Sequence, residues 1–287
     1  MININSLSNT SLTEIYKTFV EAFSDYQVKF NPSYDDFLFM MNRRGMNRDL
    51  SFGAFENQRL LGFTLNGIGL WNGLPTAYDT GTGTIPDYRK RGLAKRIFQE
   101  SLPVLRQNNI KQYLLEVLKQ NKVAYELYKK QGFEVIREFD YYVFSKSDIN
   151  NSAFAKCPDN IRIEEIDEFD WDKAISFYDF EPSWQNNQEA VERSYDSYFK
   201  VAAYKDEKLV GFGFLQKSNG DIPQIAVNNN FRRKGIGSQI FKKLIAANQS
   251  DNFQIINIEN KDAGMKQFLE NFSIFPNGGQ FEMILKL

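Results

Sequence analysis

The chain has 287 residues, 42% of them hydrophobic and 25% charged, which is enough for one large core or two ordinary ones and excludes wholesale disorder. Lys and Arg number 35 against 36 Asp and Glu, so the net charge of -1 supplies no overall basic field for nucleic acid. Histidine is absent and Cys157 is the single cysteine, which excludes histidine bases, His–Ser and His–Cys pairs, intramolecular disulfides and Cys- or His-rich metal sites.

In chain order, Leu12, Ile15, Tyr16, Phe19 and Phe23 fall on one face of a helix, with Ser11 or Thr13 as its start signal. A second helix is expected over about Tyr34–Arg43. Ser51–Glu56 and Arg59–Asn66 read as strands around Asn57-Gln58. Gly67 to Pro75 is a Gly-, Asn- and Pro-containing insertion, and Ala77–Ile85 is a strand rich in Thr and Gly. Lys90–Gln107 reads as a helix, with Leu93, Ile97, Leu102 and Leu105 on one face. Gln112–Leu118 is a short apolar strand, Lys122–Gln131 a helix ended by Gly132, and Phe139–Phe144 a strand. The second half runs in the same order, from a helix near Asp170–Phe180 to a strand over Phe281–Leu287. No apolar run approaches the length of a membrane span, and Met1–Thr10 lacks the basic-then-apolar pattern of a signal peptide. A cytoplasmic protein is expected.

The chain repeats itself. Arg89-Lys-Arg-Gly-Leu-Ala94 recurs as Arg232-Arg-Lys-Gly-Ile-Gly237, Arg59-Leu-Leu-Gly-Phe63 as Lys208-Leu-Val-Gly-Phe212, and Asn121 as Asn260. Landmarks in one order with drifting offsets indicate duplicated domains with different loops. The polar segment 146–160 separates them.

A strand ending in Thr84 and Ile85, a basic loop and then a helix opening on small residues suit a phosphate group. Helix N-termini offer unpaired N–H donors and about half a positive charge. Arg89, Lys90, Arg91 and Lys95 add to it. The loop is neither a Walker A loop nor a dinucleotide fingerprint. Arg-x-x-Gly-x-Gly/Ala between strand and helix resembles the acetyl-CoA pyrophosphate loop of the GCN5-related N-acetyltransferase (GNAT) family. Asn121-Lys-Val-Ala-Tyr-Glu-Leu-Tyr128-Lys-Lys-Gln-Gly-Phe133 resembles that family's second motif. The resemblance covers about 50–145 well and 200–287 moderately.

It implies an α/β fold of two tandem GNAT-like domains, each a mixed, mostly antiparallel sheet with flanking helices. Their expected limits are 1–147, catalytic, and 160–287, degenerate, joined by a linker at 148–159. It implies acetyl transfer from acetyl-CoA, as cosubstrate and without a metal, to a small-molecule or peptide amine. Neither nucleic acid nor a membrane is an expected partner, and the chain is expected as a monomer or homodimer. Cofactor contacts carried over are Thr84, Ile85, Arg89, Lys90, Arg91, Gly92, Leu93, Ala94 and Asn121. In the second half they are Val227, Arg232, Arg233, Lys234, Gly235, Ile236 and Gly237.

By resemblance Tyr128 is the general acid for the leaving thiolate; it also fits an aromatic packed on the core. Asn121 fits either a pantetheine contact or a helix N-cap. Backbone groups around Thr82–Ile85 would meet the pantetheine amides and the oxyanion. Asp79 and Glu116 are candidate bases that fit equally as strand-edge charges. Asp25, Tyr26 and Phe30 would form the acceptor wall. In the second half the position of Tyr128 falls on Phe268 or Leu269, neither of which can give a proton, so this half is expected to bind acyl-CoA with little or no transfer. The alternatives are a catalytically silent acyl-CoA-binding or regulatory protein, and an interaction scaffold in which the loops only cap helices.

Overall fold

The computed structural model describes residues 1–25 and 32–287. The elements follow the hydrophobic periodicity closely. β1 (Asn3–Ser6) leads into α1 (Leu12–Phe23), whose N-cap Ser11 accepts from the Glu14 amide, and α2 (Tyr34–Arg43) starts with a Ser33–Asp36 capping box. β2 (Met46–Glu56), β3 (Arg59–Trp71) and β4 (Leu74–Thr84) form an antiparallel meander. The segment expected outside the strands, Gly67–Pro75, instead prolongs β3 and β4 into a long hairpin. Asn72 and Gly73 both have positive φ, 50° and 73°, the left-handed pair that a two-residue turn demands.

After β4 come α3 (Leu93–Gln107), β5 (Gln112–Leu118), α4 (Lys122–Lys130) and β6 (Glu134–Ser145). α3 begins three residues later than expected because Lys90 (φ 60°) and Gly92 (φ 74°) are left-handed and cannot be helical. The second half supplies β7 (Arg162–Glu165), α5 (Trp171–Ala174), α6 (Gln188–Arg193), β8 (Tyr198–Lys205), β9 (Lys208–Gln216), β10 (Asp221–Val227), α7 (Ile236–Ala247), β11 (Asn252–Glu259), α8 (Ala263–Asn271) and β12 (Gly278–Lys286). The helix expected near Asp170–Phe180 shrinks to α5 and one tight turn, because Tyr178 is already extended and its hydroxyl is held by Gln224.

The chain divides into two compact units. The first holds residues 1–117, 126–136 and 282–287, and the second holds 118–125 and 137–281. In the first, the strand order is β1-β2-β3-β4-β5, with the end of β12 beside β5; the Leu287 amide donates to the Lys111 carbonyl at 2.9 Å. Phe19 of α1 packs between Phe37 and Phe63 over this sheet, and Ile97 of α3 is fully buried. In the second, the order is β6-β11-β10-β9-β8-β7, with the start of β12 on the outer side of β6. Its core gathers Val201, Val210, Ile240, Leu244 and Phe253. Each repeat therefore takes the strand beside its fifth position from the other half of the chain. Antiparallel pairing of Phe144 with Phe253 places β6 beside β11 in the second unit.

Because β5 is flanked by residues 282–286, the first unit needs them. Met283 is fully buried there. Met283→Ala is expected to cost about 2–5 kcal/mol, read as a lowered urea midpoint. A chain ending at 281 is expected to unfold still more readily. An unchanged midpoint in both would show that the first unit stands without this strand.

Candidate active site

The site of the first unit is made where two strands part. β4 and β5 pair in parallel only at Thr76–Gln112, Ala77–Tyr113 and Tyr78–Leu114. Beyond Tyr78, β4 continues against β3 alone. A bulge lies at this point, since Asn66 faces Asp79 while the next residue back, Leu65, faces Gly81, leaving Thr80 as the extra residue. The bulge frees the Gly81 amide, which donates to Asp79 Oδ1 at 2.9 Å.

Asp79 Oδ2 accepts from Thr82 Oγ1 at 2.8 Å and from Tyr128 Oη at 3.3 Å. Burial dominates its electrostatics and outweighs these hydrogen bonds and the nearby Arg44, lifting the carboxyl to a pKa of about 6. The carboxyl is thus poised to change charge near neutrality. Tyr128 rests its ring edge-on against Phe133 at 5.5 Å, so packing aims the hydroxyl that meets Asp79. Thr64, Asp79, Thr82, Ala94, Phe98 and Tyr128 are among the residues around a cavity of about 20 Å³, room for about one water. The two sequence candidates, Asp79 and Tyr128, therefore meet. Glu116 does not join them: it lies beside buried Tyr78, whose hydroxyl pKa its charge helps to raise. Sequence reasoning named Thr82 for its backbone but missed its side-chain bond to Asp79 and the bulge; the Gly and Thr alternation over 80–84 was the available signal.

The loop after β4 has a specific construction. Arg89 donates from Nε to the Thr84 carbonyl (3.1 Å), from Nη2 to the Ala22 carbonyl (2.8 Å), and from both terminal nitrogens to the Asp25 carboxylate (2.7 and 2.6 Å). Its guanidinium ties the end of β4 to α1, and the pairing holds the Asp25 carboxyl below its usual range. Asp25 is therefore engaged by the loop, while Tyr26 and Phe30 lie outside the described residues. Arg91 sits over the Tyr88 ring and donates to the Asp87 carbonyl. Ile85 and Leu93 are buried, whereas Lys90 is exposed. The first bond inside α3 runs from the Arg96 amide to the Gly92 carbonyl, so the amides just before it point out of the helix. The space around Gly92 is open. Left-handed Gly92, outward amides and cationic Lys90 thus lie together at the start of α3, an arrangement of donors and positive charge suited to an anion. Asn121 accepts from the Ala124 amide at 3.1 Å and caps α4.

The second unit repeats this construction. Arg232 donates to the carbonyls of Val227 (2.8 Å) and Phe177 (2.9 Å) and to Asp179 (2.6 Å). Arg233 and Gly235 have φ of 59° and 77°, matching Lys90 and Gly92. Lys234 donates to the Asn230 carbonyl, and Ile236 is buried at the start of α7. β10 and β11 pair only at Asp221–Gln254 before parting. Here the strands enclose a cavity of about 530 Å³, bounded by β10, β11, α8, the loop 232–238 and residues 177–182.

The chemical groups differ. Asp262 caps α8 by accepting from the Met265 amide, and the Ile274 amide closes onto the Leu269 carbonyl. Asn121 and Tyr128 make the same two bonds, with Ala124 and Phe133. Tyr128 therefore corresponds to Leu269, not Phe268, and Asn121 to Asp262 rather than Asn260. The residue two before the Gln224–Phe214 pair, where the first unit has Asp79, is Ile222. Neither Ile222 nor Leu269 can move a proton. Among the described residues no cluster of three or more Cys, Asp and Glu is placed to hold a metal ion, and no helix is long and apolar enough to cross a membrane.

Comparison with known proteins agrees with this architecture. No curated protein matches the sequence. Among solved structures, a tandem GNAT protein from the clavulanic acid biosynthesis pathway superposes with a TM-score of 0.79 at 10% identity, over 100% of this chain and 98% of that one. An acetyltransferase from Pyrococcus horikoshii, itself assigned by inference, gives 0.69 at 17% identity, over 100% and 89%. A GCN5-related N-acetyltransferase from Sphaerobacter thermophilus gives 0.72 at 10% identity, over 99% and 95%. At such identities the likeness is one of fold. The model of the acetyltransferase (GNAT) family matches the sequence twice, over residues 12–133 and 162–271. With both halves matched and the fold duplicated, the chain belongs to the GNAT acetyltransferase family as a tandem, two-domain member.

Proposed function

We propose that the first unit transfers an acetyl group from acetyl-CoA to an amine, with Asp79 as base and Tyr128 as acid. The observation that carries this is the hydrogen bond between Tyr128 Oη and Asp79 Oδ2 at the parting of β4 and β5. The outward amides of residues 90–94 would hold the diphosphate, with Lys90 adding charge. Arg89 acts as a positioning residue that keeps the loop on α1. The backbone of Thr82 and the Thr84 amide, on the side that β5 leaves unpaired, would meet the pantetheine arm, while Arg89 holds the Thr84 carbonyl and Ile85 bonds to Leu61 and Tyr88.

The ammonium nitrogen sheds two protons on its way to the amide: one is routed through this pair to the leaving sulfur, and the other, lost from the tetrahedral intermediate, passes to solvent. An alkyl ammonium must lose a proton before its nitrogen attacks the thioester carbonyl. Ionised Asp79 accepts it. As the carbon–sulfur bond breaks, Tyr128 gives its proton to the sulfur, and protonated Asp79 returns one to the Tyr128 oxygen across their shared hydrogen bond. No histidine is needed. The acceptor is a small-molecule or peptide amine, and the setting is the cytoplasm. The rival reading, a silent acyl-CoA-binding protein, is favoured by Ile222 and Leu269 in the second unit but not by the first.

Tyr128→Phe and Asp79→Asn are each expected to lower kcat by about 10²–10⁴-fold, with acetyl-CoA affinity by calorimetry little changed. Because the two act together, the double variant should fall little further than the worse single one. Thiol release that continues at the wild-type rate in Tyr128→Phe would overturn the assignment.

In wild type, kcat/KM is expected to rise with pH through about 6, as Asp79 ionises. Asp79→Asn should lack this limb.

The stability prediction has the opposite sign. Folding raises the Asp79 pKa from 3.8 to about 6, so the folded state favours the protonated form, and stability falls as pH rises through that window. Asp79→Asn should therefore melt above wild type at pH 8, with the gap closing below pH 4. A gap that widens on acidification would contradict burial as the cause.

A further inference from the structure

The cavity of the second unit, at about 530 Å³, lies within the range of small-molecule sites and has room for roughly 18 atoms at a liquid-like 30 Å³ each. Its walls are mainly apolar: Ile222, Ile225, Val227, Met265 and Phe268 all face it. Its polar groups are already committed to one another. Tyr178 Oη donates to Gln224 Oε1 (2.8 Å), and Gln224 Nε2 donates to the Asn186 carbonyl (2.6 Å). Asn186 Nδ2 donates to the Ile256 carbonyl (2.9 Å). Asn257, held at φ 60° within β11, donates to Ser183 and accepts from Gln280. Most of the rim charges are spent as well: Arg232 pairs with Asp179, and Asp262 caps α8, which leaves exposed Arg233.

The linker also differs from anything at the first loop. Phe154 packs against Phe241 and Phe272. The Ala155 amide donates to Ser238 Oγ at 2.9 Å, and Gln239 Nε2 donates to the Ala155 carbonyl at 2.6 Å. The chain then passes directly over Gly235, where even a methyl group would overlap the carbonyl oxygen of Lys156. The corresponding space at Gly92 is open. A carbonyl oxygen fixed over this loop repels the anion that the first loop suits, and Ala153 and Ala155 become part of the cavity wall.

We infer that this cavity binds an uncharged, mainly apolar small molecule rather than coenzyme A, its phosphate end being closed by linker residues 153–157. A charged ligand lying against the apolar wall would have only the exposed Arg233 as an uncommitted counter-charge, and covering it there is costly. An uncharged one gains by covering the apolar wall. Exposed Arg233 is the feature that favours an anion, and the test includes one. The inference stands independently of transfer at Asp79 and Tyr128.

The full chain is titrated with the neutral dye Nile red. Saturable binding at one site per chain is expected, displaced by octanamide at least tenfold better than by octanoate at pH 8, and not displaced by coenzyme A. Met265→Trp on α8 and Ala226→Leu on β10 should each weaken dye binding about tenfold while melting stays cooperative. Competition by coenzyme A, equal competition by octanoate, no saturable binding, or unaltered binding in both variants would each overturn the inference. Coenzyme A that fails to bind anywhere, by calorimetry, while the dye binds as expected would sink the transferase reading and leave this one standing.

Discussion

The site of the first unit depends on a parallel strand pair that stops early. β4 and β5 share three residue pairs and then part, and the bulge at Thr80 is where β4 turns away. A strand that loses a partner must satisfy its backbone elsewhere. Here the Gly81 amide is captured by Asp79, the Thr84 carbonyl by Arg89, and the Ile85 amide by the Leu61 carbonyl. The same event sets the carboxyl in a partly closed space and leaves room for α4 to bring Tyr128 to it. Geometry, electrostatics and access to backbone groups thus share one cause.

A second constraint recurs in both repeats. One arginine takes the carbonyl at the end of a strand, a carbonyl from the preceding helical region and a carboxylate two or three residues later: Thr84, Ala22 and Asp25 for Arg89, and Val227, Phe177 and Asp179 for Arg232. A planar guanidinium with five donors in a fixed fork spans three such widely separated groups, which the compact ammonium of a lysine does not match. The loop shape has been kept in both units while the groups around it changed. Where the first unit has the Asp79 carboxyl and the Tyr128 phenol, the second has the apolar Ile222 and Leu269 on a similar backbone. The repeats therefore share a scaffold and differ in what that scaffold can do.

Much of this was legible in the residues. The repeated Arg-x-x-Gly loop, the Asn121–Phe133 motif and the helical face of α1 were each carried by local patterns, and local patterns survive folding. What was not legible was set by tertiary context. Asn72-Gly73 is a strong turn signal, yet an insertion rich in Gly, Asn and Pro obscured the strands on either side of it. Lys90 lies in a helical pattern but is left-handed because the loop must turn before the helix. Asp79 and Glu116 looked alike as strand carboxylates; only the strand alternation and the bulge separate the one facing Tyr128 from the one facing Tyr78. The match between Tyr128 and Leu269 needed the cap and the closing turn, not residue counting. The large cavity could not be read at all, since it is enclosed by segments far apart in the chain.

The exchange of last strands has a consequence for how the protein is made. During synthesis the first unit has nearly all of its sequence once β5 and α4 are out, yet residues 282–287 that flank β5 follow only after the second unit's sequence. At about 5–20 residues per second, the ribosome needs roughly 10–30 s more to deliver them. Throughout that interval β5 presents an open edge that a neighbouring nascent chain could claim. The emerging polypeptide thus passes through a window in which crowding on one messenger favours mispairing, and slower initiation, by spacing the ribosomes, would raise the yield of correctly assembled chains.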